Sequence, residues 1–159
     1  MTTAAATRPS LARVIAGAGL LVGTLDIATP LTLNALHGVR PIRILQGIAS
    51  GLLGKASYTL GLRSAILGLL LHFFIAYTVT TIYILASRKL PLSRHPFLYG
   101  TLYGISVYIV MNYLVLPLSK IGLRPIPPPI SLIIGVVTLI VCIGLPLAFI
   151  VRRYIPYES

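Results

Sequence analysis

The sequence has 159 residues, 57% of them hydrophobic and only 9% charged, with a mean hydropathy of +0.96. A water-soluble domain carries about 25% charged residues, so the composition excludes an ordinary soluble enzyme or binding module. Thirteen Lys and Arg stand against Asp26 and Glu158 alone, a formal charge of +11, but the basic residues flank apolar runs and form no stripe interleaved with aromatics. They read as headgroup anchors, and nucleic acid is set aside as a partner.

A bilayer core of about 30 Å needs about 20 apolar residues per helix, and four segments reach that length. The first, 11–29, is LARVIAGAGLLVGTLDIAT, which Pro30 is expected to stop. Arg8 and Arg13 precede it as they would a signal peptide, but it is too long, contains Asp26 and lacks a small-x-small cleavage site, so it is expected to be retained. The second span is 64–86. The third, 97–118, opens after His95-Pro96 and closes near Pro117. The fourth, 130–151, follows a stiff IPPP run and contains Pro146, where a kink is expected.

Between the first two spans, RILQGIASGLLGK (43–55) is apolar and helical in pattern but too short to cross. It reads as a re-entrant or an interfacial helix. Gly47, Gly51 and Gly54 recur at helical spacing, so one face is expected to press on a neighbouring helix. The sequence thus predicts an all-α polytopic bundle of four transmembrane helices plus one short helix. It forms a single domain over 11–151, with tails at 1–10 and 152–159.

With four spans both termini share a side with the loop SRKLPLSRHP. That side holds Arg8, Arg13, Arg88, Lys89, Arg94, Arg152 and Arg153; the other holds Arg40, Arg43, Lys55, Arg63, Lys120 and Arg124. The dense short loop favours cytoplasmic termini.

Polar residues inside the spans are the candidate functional groups. In the first, Ala12, Ala16, Gly19, Gly23 and Asp26 share one helix face, and Gly19-x-x-x-Gly23 permits close backbone approach. In the second, Ala65, Gly68, His72, Ala76, Val79 and Tyr83 align the same way. The third carries Gly100-x-x-x-Gly104, then Tyr108 and Asn112. At about 1.5 Å per residue, Asp26, Asn112 and His72 lie roughly 5, 9 and 12 Å from helix ends on one side of the membrane. They are expected to meet in one leaflet, with Tyr108 slightly deeper.

An intramembrane carboxylate costs about 2.5–3.5 kcal/mol on insertion scales, so Asp26 is expected to face the bundle interior. The cluster reads either as hydrogen bonds that fix packing or as a pocket that handles a proton or ligand. Cys142 is alone and supports neither a disulfide nor a thiolate metal site. His72 is the only deep histidine, which disfavours a two-histidine haem. No G-x-S-x-G motif occurs, and neither metal nor cofactor is expected. Tyr83, Tyr99, Tyr154 and Tyr157 read as an interfacial aromatic belt.

The order GTLDIA, GIASGLLG, LLHFFIAYTV, YILASRKLP and LYGISVYIVMNYLVLPLS, over 17–119, resembles a widespread set of small uncharacterised bacterial membrane proteins. In layout it is more distantly similar to YagU-like inner-membrane proteins, with a shorter linker here. That resemblance implies a bacterial inner-membrane location and a link to acid resistance, and it carries over no catalytic residue. The leading expectation is a non-enzymatic accessory or stress-related membrane protein. The alternatives are a small oligomeric transporter or channel and an intramembrane lipid-modifying enzyme. The expected partners are the bilayer and a second copy or a membrane-complex subunit.

Overall fold

The computed structural model describes residues 9–125 and 127–155; Arg8, Tyr157 and Glu158 lie outside them. Among the described residues the chain is helical without strands, and we number its helices in order: α1 Leu11–Leu36, α2 Pro41–Leu53, α3 Leu62–Ser87, α4 Pro96–Leu118 and α5 Pro129–Tyr154. Four of them, α1, α3, α4 and α5, are long and apolar enough to cross a membrane. Proline opens α2, α4 and α5 at the first turn, where its missing N–H costs nothing. Ser10 caps α1 by accepting from the Arg13 N–H at 3.4 Å. Between α2 and α3 a 3₁₀ segment, Gly54–Tyr58, reverses the chain; Gly54 opens it and Gly61 precedes α3, at φ +65° and +59°, a region that favours glycine.

Pro30 does not stop α1, which runs on to Leu36. Proline removes one hydrogen bond, to the carbonyl of Asp26, and an apolar helix in a bundle tolerates this where other groups support the turn. Here the Asn34 side chain donates to the Pro30 carbonyl at 2.8 Å. Both other internal prolines follow widened turns, Met111–Val115 before Pro117 and Ile140–Gly144 before Pro146. In each the residue before proline bonds five residues back, Leu116 to Met111 and Leu145 to Ile140. A π-turn relieves the crowding between a proline ring and the carbonyl four residues earlier. The kink expected at Pro146 therefore takes the form of an inserted residue.

Helix α3 receives α2 and α1 on its flanks, α1 also packs on α5, and α5 carries α4. Small residues set these approaches. A Cβ on Gly68 would fall onto the Leu45 carbonyl oxygen of α2, and one on Gly100 would come within 2.9 Å of the Gly144 carbonyl of α5. Gly19 and Gly23 of α1 lie under the rings of Tyr77 and Phe73 of α3. Ala12 and Ala16, expected on that same face, are exposed. Val14, Ala18 and Val22 are buried instead, packing with Ile143, Leu147 and Val151; the larger side chains rotate the buried stripe of α1 toward α5. Tyr83 is also not a belt residue: it is buried, its ring 4.7 Å from that of Tyr103.

Candidate functional site

His72 lies on the buried face of α3 with Ala65, Gly68, Ala76 and Tyr83. Its Nε2 is 2.7 Å from the Gly23 carbonyl oxygen of α1. A carbonyl only accepts, so Nε2–H donates, and Nδ1 is left for another partner. Gly23 makes the bond possible: a Cβ there would come within 2.8 Å of the Phe73 ring and 3.1 Å of the Ala76 methyl. The imidazole thus ties α3 to α1 through backbone, a contact that spacing alone does not reveal.

Beside this bond the bundle forms a half-open cavity of about 690 Å³, whose lining includes Asp26, His72 and Asn112. The three expected polar residues therefore share one space, drawn from α1, α3 and α4. Asp26 and His72 each lie ten residues from the matching ends of their helices, Leu36 and Leu62, about 15 Å at 1.5 Å per residue. That is deeper than the sequence boundaries suggested, because α1 continues past Pro30 and α3 begins at Leu62 rather than at residue 64. The Asp26 carboxyl makes no hydrogen bond or ion pair among the described residues. The Asn112 amide donates to the Tyr108 carbonyl at 3.0 Å. Tyr108 itself is not in the wall; it is buried over Gly135 of α5.

Glycines of α2 sit differently from expectation. A Cβ on Gly47 or Gly51 would meet atoms only at ordinary distances of 3.6 Å or more. They line the cavity, and the tight α2–α3 contact falls on Gly68 and Ala49. The same face of α2 carries Arg43, four residues before Gly47, so the wall gains a guanidinium assigned from sequence to headgroup anchoring. Tyr58, Ser119 and Arg124 join it. The four-residue recurrence of 43, 47 and 51 was the sequence signal; Arg124 had none, since it sits in the α4–α5 loop.

Exposure divides the cavity into two ends. Arg43, Leu52, Tyr58 and Arg124 are its exposed wall residues, whereas His72, Ala76, Val107 and Ile143 are buried. Aliphatic side chains such as Ile48, Ile75 and Val115 supply most of the surface between them. An open cationic rim over an apolar interior, with a carboxyl, an imidazole and an amide in the lining, suits an amphiphile. Among the described residues no group of three or more His, Cys, Asp or Glu is placed to hold a metal ion. No family model, curated protein or solved structure matches the chain.

Proposed function

We propose that the chain is a multi-pass protein of the bacterial inner membrane that binds a lipid-like amphiphile in this cavity, without catalysing its conversion. The observation that carries the reading is the cavity's volume and lining: about 690 Å³, mostly aliphatic, with Asp26, His72 and Asn112 among the lining residues. Ligand sites are typically 300–1,000 Å³, largely apolar, with a few convergent polar groups that set orientation. A carboxyl facing such a space without a hydrogen bond has room for a donor from the occupant.

The four apolar helices support the multi-pass setting; the inner membrane and cytoplasmic termini are proposed from the resemblance in layout to YagU-like proteins and from the dense basic loop between α3 and α4. In that frame α2, about 20 Å long, is re-entrant. Its Leu45 carbonyl meets α3 at Gly68, six residues or about 9 Å inside the start of that helix, and Gln46, Ala49 and Ser50 are buried. That depth and burial support the re-entrant over the interfacial form.

Filling the cavity tests the reading. Gly51→Leu adds a branched side chain where a Cβ meets nothing closer than 3.7 Å, so the fold is expected to persist. Membrane lipid extract added to purified wild type should raise its thermal midpoint, and Gly51→Leu should abolish that rise. An equal rise in both proteins would contradict internal binding.

A further inference from the structure

We infer that the occupant is held by a phosphate group, clamped between Arg43 and Arg124 at the open rim, and that it is a phospholipid drawn from the bilayer. This rests on the cavity-binding reading above and names its ligand class. The charge inventory argues for an external anion. Asp26 and Glu158 are the only side-chain acids in the sequence, and no ion pair joins Asp26 to either arginine. Two guanidinium groups in the lining of one cavity therefore lack a protein counter-ion among the described residues.

The rim is built rather than loose. Arg43 lies over the Tyr58 ring, its guanidinium carbon 5.8 Å from the centroid, and donates through Nη1 to the Tyr58 carbonyl at 3.4 Å. This uses one of five N–H donors and fixes the group at the cavity edge. The Lys120 N–H donates to the Gly51 carbonyl at 2.8 Å, fastening the start of the α4–α5 loop, four residues before Arg124, to α2. Ser119 Oγ accepts from the Ile121 N–H at 3.2 Å and tightens the same loop. Arginine's planar fork matches phosphate oxygens with paired, charge-assisted bonds.

The solvent decides why the head matters most. An acyl chain gains little by leaving other acyl chains for an apolar cavity, because lipid tails are as apolar as the wall. Discrimination must come from the headgroup, and the rim offers cations. A cavity of this size takes a headgroup and part of a chain, with the remainder passing out through the open side.

The full-length protein, purified in mild detergent, is exchanged against phosphatidylglycerol, diacylglycerol of the same chains, or glycerol phosphate, and bound ligand is counted by native mass spectrometry. Wild type should retain phosphatidylglycerol about tenfold better than diacylglycerol, and Arg43→Gln/Arg124→Gln should remove that preference. The paired Arg→Lys variant should keep part of it, as point charges without the fork. Equal retention of diacylglycerol by wild type overturns the phosphate clamp while leaving a filled cavity, provided Gly51→Leu loses both lipids. Glycerol phosphate binding as well as phosphatidylglycerol overturns the bilayer as source. No ligand retained by wild type overturns the clamp and the binding reading together. The wild-type comparison decides the matter even if an arginine variant fails to fold.

Discussion

At His72 the imidazole N–H meets the Gly23 carbonyl at 2.7 Å within the bundle, and the ring edge packs against Phe73 at 5.4 Å. The residue does two things: Nε2 joins helices, and the side chain forms part of the cavity lining. Interhelical hydrogen bonds in membranes average about 0.6 kcal/mol and reach about 1.7. His72→Leu is expected to destabilise the protein by roughly that range in an equilibrium unfolding measurement. A loss several times larger would mean that the imidazole supports more than this one bond. No loss would mean that the α1–α3 contact stands on packing alone. The sequence put His72 on a small-residue face, and that much was legible; its acceptor was not, because a backbone carbonyl leaves no trace in side-chain spacing.

Helix α2 shows how elements share the work of close approach. Its own glycines were expected to press on a neighbour, yet the contact point is Gly68 of α3. A methyl added at Gly68 has to displace the Leu45 carbonyl, which is backbone in the middle of a helix. Gly68→Ala is therefore expected to cost about 1–3 kcal/mol or more by overpacking. Gly47→Ala makes only an ordinary contact, 3.6 Å to the Tyr58 hydroxyl, and should be neutral or stabilising by up to about 1 kcal/mol from helix propensity. Thermal midpoints of the two variants check this, and the opposite order would refute the assigned interface. In α4 the difficulty was periodicity. Tyr108 and Asn112 are four residues apart and read as one face, but the widened turn beginning at Met111 adds a residue and turns the following face. Tyr108 packs on α5 while Asn112 reaches the cavity. Leu116-Pro117, visible in the sequence, was the clue to that turn.

Over the whole molecule, the apolar runs specified the fold closely, since length and composition suffice to mark helices that can cross a bilayer. Helix ends at proline were less legible, because proline's cost depends on neighbours the sequence does not order. The cavity was half legible: Asp26, His72 and Asn112 could be assigned a common level by counting residues, whereas the rim depends on loops folding back onto α2. The central claim is that this interior receives a lipid. Ile75 and Phe74 are adjacent on α3, the first lining the cavity and the second 68% exposed on the outer surface. Photolabelling with a diazirine phospholipid, mapped by peptide mass, separates them. Labelling at Ile75 should saturate and be competed by excess unlabelled phospholipid, while labelling at Phe74 should rise without saturation as bulk lipid does. Identical, non-saturable labelling at both positions would contradict an internal site.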